Sequence, residues 1–460
     1  MISKDDRLKK SLENFESQGA KDTSGGHTAG IHKKKAKETR PNSQRNKKSW
    51  FVKEAYSPDE PLELEVISGE VYRFWIGNTQ PKTRLVTDKL DKRYVASEGV
   101  PGFKTFKSIM EQGGKPTDYK TLARILVSAL VLAETDLKAD NIGVNSGGTS
   151  VKIDHDSSLW PIVRRIMSMQ NDLNQVNFSF EDLDDILAPK TFKPTIWAGG
   201  LKKEIKDELR KNEEFKKEVY LQILRILVYP PEVLTKIQEV NAPSDLQLKE
   251  EIDNFLQERI SLLRTEALKS KGFREFITNL NIDDCESEFK SELKEFFSEN
   301  RAYAEGIDIS HSMLKAIHKI KDQAQLSEAR AGELDKITLL KEKLNLDRHN
   351  HEHLAYWQEK TKAGGGTLVE YNGTYYKVPS KIAQMMKMDA DSFSSYIDFK
   401  DEIDKIRKSD ESAKNTNSLY SFFGEVKNKI TRDKVTQALY EIDDIEEADL
   451  NDLDPSFKMK

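Results

Sequence analysis

Four polar side chains on either side of a Gly-Gly turn are the residues of this chain best suited to chemistry. Asp136, Lys138 and Asn141 lie in Asp136-Leu-Lys-Ala-Asp-Asn141, and Asp154 closes Val151-Lys-Ile-Asp154. Ile142-Gly-Val144 and Val151-Lys-Ile153 flank Asn145-Ser-Gly-Gly148 as hairpin arms flank a turn, so the spacing predicts two short strands that aim these groups at one point. Phosphoryl transfer from a nucleotide uses such a set. One carboxylate orients the acceptor hydroxyl, an amide and a second carboxylate hold Mg²⁺ against the phosphates, and a cation offsets charge on the transferred group. The alternative for the same residues is a polar hairpin with solvated carboxylates, because Asp and Asn are common in turns.

The element that must deliver this stretch is a helix opened by Pro116-Thr-Asp118. Leu122, Ile125, Leu126, Ala129, Leu130 and Ala133 recur at three- and four-residue steps, and Val127, Val131 and Leu132 widen the stripe until it is apolar nearly all round. Such a helix is expected to be buried. Upstream, Glu70–Gly77 reads as a strand rich in aromatic and β-branched residues, Asn78–Pro81 as a turn, and Lys82–Thr87 and Arg93–Ser97 as further strands. A helix is expected within Pro101–Gln112.

The run Asp136-Leu-Lys-Ala-Asp-Asn141 resembles the catalytic loop of protein kinases, H-R-D-L-K-P-E-N, and the step from Asn141 to Asp154 is similar to that from the loop Asn to the Asp of D-F-G. By this resemblance Asp136 would be the catalytic base, Lys138 the γ-phosphate contact, and Asn141 and Asp154 the metal ligands, with ATP and Mg²⁺ or Mn²⁺ as cofactors. Glu134-Thr135 replaces His-Arg and His155-Asp156 replaces Phe-Gly, so the pattern is that of an atypical kinase. With Pro81-Lys-Thr-Arg-Leu85 upstream, it is similar to the kinase-like effectors that Legionella-type bacteria secrete through the Dot/Icm type IV system. The resemblance implies an α+β, bilobal kinase-like fold, with a small β-rich N-lobe and a helical C-lobe, followed by a mainly α-helical C-terminal domain. No G-x-G-x-x-G appears, and Tyr94-Val-Ala-Ser97 carries serine where V-A-I-K carries lysine. Lys82 or Arg84 is the expected phosphate-contacting cation, with Glu111 as its partner; ordinary exposed strand charges are the alternative.

After Trp160 helices are expected over 161–173, 180–187, 201–228, 231–240 and 244–277, jointed by Pro and Gly. Lys202-Lys203, Lys206, Arg210-Lys211 and Lys216-Lys217 alternate with acids, which favours an ion-paired, solvated face. The effector resemblance suggests instead a pocket for an inositol polyphosphate activator.

Composition bounds the rest. The 460 residues are 33% charged with a net charge of −5, so no global field for nucleic acid or membrane follows. Cys285 is the only cysteine, which excludes an internal disulfide, and its acidic neighbours should raise its pKa. No run is long enough for a membrane span, and no Sec-type leader is read at the N-terminus.

Residues 1–48 read as a disordered basic tail, 49–305 as the kinase-like domain, 306–440 as a helical domain and 441–460 as an acidic tail. In the helical domain, His349 and His353 are spaced to face one metal if helical, with solvated histidines as the alternative. Ala363-Gly-Gly-Gly366 reads as a hinge, and Asn372-Gly373 marks a hairpin over 368–378. Ile382, Met385, Met386 and Met388 beside Lys381 and Lys387 suit either a small core or a phosphoinositide-binding membrane surface, and the resemblance favours the latter. The tail with Phe457 is similar in composition to type IV export signals. Together these imply a host protein as substrate and a location in the host cytosol or on a host membrane.

Overall fold

The computed structural model describes residues 10–21, 29–34, 49–55, 60–168, 176–241, 246–307, 312–361 and 366–408. They fall into two compact units, Met1–Gln325 and Leu326–Lys460, so the division lies some twenty residues beyond the boundary expected near 305. Both are mixed α and β.

The first unit begins with β1 (Lys10–Ser11), β2 (Phe15–Lys21), β3 (Ala29–Lys34) and β4 (Ser49–Glu54), followed by helix α1 (Leu62–Ile76), β5 (Thr83–Thr87) and β6 (Arg93–Glu98). These strands form one sheet in the order β1-β5-β6-β4-β3-β2, antiparallel except for the short β1–β5 pair. Residues 10–21 and 29–34, expected to be disordered, therefore belong to the sheet. Their order comes from backbone pairing to β4 and from Phe15 packing on Trp50 at 5.6 Å, neither of which composition alone reveals. The basic run 35–48 and the tail 441–460 lie outside the described residues.

The stretch expected as a strand at 70–77 is instead the second half of α1. Every residue from Leu62 to Ile76 is buried, so the helix carries no polar face and its apolar run is indistinguishable from a strand by periodicity. Glu63 and Glu65 in its first turn and Arg73 in its last complement the helix dipole. Along β4, Trp50 and Val52 are buried on one face with Val86 and Ala96, while Lys53 lies opposite Val95 on the face that α1 covers through Leu62 and Val66.

Next come β7 (Lys104–Thr105), α2 (Phe106–Glu111), α3 (Tyr119–Val131), β8 (Ile142–Val144) and β9 (Ser150–Lys152). α3 is the expected buried helix, with Leu122–Val131 all buried and Asp118 capping its start through the Thr121 amide. β8 and β9 form the expected hairpin, and β7 pairs on the other side of β8. Asn145 Oδ1 closes the turn by accepting from the Gly147 and Thr149 amides. The helices α4 (Trp160–Ile166), α5 (Phe180–Asp184), α6 (Lys203–Arg210), α7 (Glu213–Val228), α8 (Glu232–Asn241), α9 (Leu246–Lys269), α10 (Lys271–Thr278), α11 (Ile282–Glu299) and α12 (Arg301–Ala304) complete the core around α1 and α3.

The second unit takes the end of α13 (Ser312–Lys343), then α14 (His351–Glu359), the hairpin β10 (Thr367–Tyr371) and β11 (Thr374–Val378), α15 (Ser380–Met386) and α16 (Tyr396–Lys408). Asn372 and Gly373 both have positive φ, as the tight hairpin requires. Met385 and Met386 are buried with Trp357, Ile382 and Phe399 in the core of this unit. His353 is buried, accepts from the Asp347 amide and lies 3.1 Å from Glu342, while His349 is exposed and precedes α14, so the two are not a pair on one helical face. Of the expected hinge, Ala363, Gly364 and Gly365 fall outside the described residues. No helix among the described residues is long and apolar enough to cross a membrane.

Candidate active site

The site is assembled from three pieces of the first unit: Lys53 on β4, Glu65 on α1, and the loops at either end of the β8–β9 hairpin. α3 ends at Leu132, and Ala133 takes a left-handed conformation (φ 50°) that turns Glu134 into the interior. Thr135 then fixes the loop from both sides. Its amide donates to Ser157 O (3.1 Å) and its carbonyl accepts from the Ile196 amide (3.1 Å), so one residue ties the start and the return of the stretch 157–196. The Leu137 amide donates to Ile196 O and its carbonyl accepts from Gly199, which extends the same seam.

Within this frame Asp136 Oδ2 accepts from Lys138 Nζ at 2.7 Å, and the Asn141 side-chain amide donates to Asp136 O at 3.2 Å. The Ile153 amide donates to Asn141 O at 2.8 Å, which continues the hairpin ladder and sets Asp154 one residue beyond Asn141 on the facing strand. Asp154 is itself left-handed, with φ of 59°. The charges of Asp136, Asp154 and Asp156 together outweigh the effect of burial on Lys138 and raise its pKa, so this ammonium stays charged near all three.

The cation at Asp154 is neither Lys82 nor Arg84. Lys53 Nζ lies 2.8 Å from Glu65, 3.2 Å from Asp154 and 3.1 Å from Asp156. Lys82 instead pairs with Glu299 at 2.9 Å and Arg84 with the fully buried Glu70 at 2.8 Å, both serving the contact of β5 and α1 with α11 and α12. Glu111 ends α2 exposed on the far side of the chain order; the acid on Lys53 is Glu65. The alternation of Trp50-Phe-Val-Lys53, followed twelve residues later by Glu65 in a buried helix, was the available signal. It was obscured because 1–48 offered no visible partner strand and α1 read as extended.

Three carboxylates around one ammonium set the electrostatics. Burial disfavours the charged lysine, but the three acids outweigh it and hold Lys53 protonated. Burial pushes Glu65 up to about 8, against the pull of Lys53. Asp156 is half-buried, which would raise its pKa, yet Lys53 outweighs this and brings it down to about 2. His155 between the two aspartates is buried against Tyr72, with ring centroids 4.9 Å apart, and burial lowers its pKa well below the usual range.

Among the described residues no three His, Cys, Asp or Glu side chains converge into a ready-made metal cage. Asn141 and Asp154 still fit Mg²⁺, since this ion keeps several waters and is held in nucleotide sites by one or two carboxylates plus phosphate oxygens. In the basic stretch 202–217, Arg210 pairs with Asp185 and Asp207 and Lys216 with Glu213. Arg210 and Lys216 line a cavity of about 280 Å³, but with Asp184, Asp185 and Tyr220, a mixed lining for a polyanion. Cys285 is buried, and burial pushes its thiol up to about 12, the direction expected though its acidic neighbours contribute less.

Comparison with known proteins is sparse. No family model matches the sequence, and no curated protein does. Solved structures do match, among them the crystal structure of a Helicobacter pylori proinflammatory kinase, CtkA, at 15% identity and a TM-score of 0.36, with 56% of this chain and 97% of that one covered.

Proposed function

We propose that the first unit is an atypical kinase that transfers the γ-phosphoryl group of Mg-ATP to a hydroxyl, with a Ser or Thr of a protein as acceptor. The observation that carries this is Lys53, held between Glu65 and Asp154. In protein kinases a lysine on the third strand pairs with a glutamate of the following helix, and both must stand with the metal-binding Asp for activity. Here β4 is the third strand of the antiparallel run β2-β3-β4, and α1 is the helix that follows it.

In this reading Lys53 binds the nucleotide phosphates, with Glu65 keeping it in place. Asn141 and Asp154 would hold Mg²⁺, which supplies charge neutralisation at the phosphates. Asp136 orients the acceptor hydroxyl and receives its proton, while Lys138 offsets charge on the group in transit. A catalytically silent scaffold, suggested by the missing Gly-rich loop and the missing strand lysine, is the non-enzyme alternative, and Lys53 speaks against the second of these grounds. A phosphoinositide or small-molecule kinase would use the same residues, whereas a nucleotidyl transferase would transfer label to the acceptor from α- and not from γ-labelled ATP, the γ label leaving in pyrophosphate.

Delivery into a host cell by a type IV system, and activation there by an inositol polyphosphate, belong to the same proposal through the resemblance of the catalytic stretch and the composition of 441–460. The test is incubation with γ-labelled ATP, with protein and lipid acceptors in parallel and with and without host extract. Lys53→Met and Asp154→Ala should each lower labelling by about 10²–10³-fold or more. Wild-type labelling by Asp154→Ala ends the assignment.

A further inference from the structure

Beneath the proposed site lies an ion pair that no role above uses. Glu134 and Lys152 are both fully buried, with Oε2 and Nζ 3.3 Å apart. Glu134 Oε1 accepts from the Asp136 amide at 3.0 Å, and its Oε2 accepts from Ser158 Oγ at 2.7 Å. Lys152 Nζ donates to Ile153 O at 2.9 Å and to Asp154 O. One end of the pair therefore grips the backbone of the proposed base, and the other grips the backbone of the proposed metal ligand.

Stability does not account for this arrangement. Burying two charges is costly, and an apolar pair of similar volume often serves a fold as well or better. What an apolar pair could not do is hold two backbone groups on opposite loops. Asp154 is the group that needs it, because an L-residue at φ of 59° keeps that conformation only when its surroundings enforce it. Rotation out of it would turn the carboxylate away from Lys53.

We infer that Glu134 and Lys152 form a positioning pair that fixes the distance between Asp136 and Asp154, so that the acceptor side and the nucleotide side of the site move as one body. Neither residue touches substrate. The role in turnover rests on the phosphotransfer reading, whereas the mechanical coupling of the two loops does not.

The test uses full-length Lys152→Met and Glu134→Gln, the second chosen because it keeps the volume and the acceptor oxygen. Amide exchange is followed without nucleotide over 134–138 and 152–156. Each variant should speed exchange in both segments together, with α9 unchanged. Where wild type transfers phosphate, kcat of the folded variants should fall about 10²-fold, as for a small misplacement of reacting groups, with KM for ATP within about threefold. Exchange confined to the altered residue's own segment overturns the coupling, and wild-type kcat in a folded variant overturns the positioning role. A wild-type protein inert toward Mg-ATP sinks the phosphotransfer reading alone, since the exchange result is read without it.

Discussion

Lys53 concentrates the electrostatics of the site, because three acids divide one ammonium and only one of them is strongly destabilised as an anion. Glu65 has a folded-state pKa of about 8, above its unfolded value, so its contribution to stability is full below the unfolded value and is lost as pH rises through about 8. The difference in Tm between wild type and Glu65→Gln should therefore shrink or reverse across roughly pH 5 to 8, measured by thermal unfolding at low salt. Asp156 has the opposite sign: its contribution is present at neutral pH and is lost only as pH falls through about 2. Lys82→Ala should leave phosphotransfer within about twofold of wild type, because its partner Glu299 is half-exposed and such pairs contribute little. Asp136, Lys138, Asn141 and Asp154 of the candidate site could be picked out in the sequence because they are spaced around one turn. Lys53 and Glu65 were not, since a lysine in a strand and a glutamate in a helix become a pair only once the sheet is assembled.

At the level of elements, α1 is where sequence reading and structure part. A helix buried all round has no polar stripe, so Val71-Tyr-Arg-Phe-Trp-Ile76 satisfies the criteria for a strand equally well. Its charged residues are the better guide, because each finds a partner across the packing. Arg73 donates to Gln80 O, Asn78 and Asn300, and pairs with Glu299, while Glu70 accepts from the Thr83 amide and Tyr303. Arg73→Met should cost about 3–5 kcal/mol in denaturant unfolding, since it strips the partner from several buried acceptors at once. α3 and the β8–β9 hairpin were readable for the converse reason: a long apolar run after an Asp cap and a Gly-Gly turn between short β-branched arms each have one good solution.

Across the whole molecule, each unit has its own core. Methionines beside lysines suit a membrane surface, but Met385 and Met386 are buried and leave Leu368 and Tyr375 as the exposed large side chains of the neighbouring hairpin. Met385→Ala should destabilise by about 2–5 kcal/mol in denaturant unfolding. Leu368→Asp combined with Tyr375→Asp should shift stability by only about 0.5 kcal/mol, and should be the change that reduces vesicle binding if this unit meets lipid. In the first unit, Thr135 fastens Ser157 with its amide and Ile196 with its carbonyl. Everything between those two points leaves and rejoins the loop at a single residue. The departure and the return of that excursion therefore sit side by side, and a shift of Thr135 would carry both along.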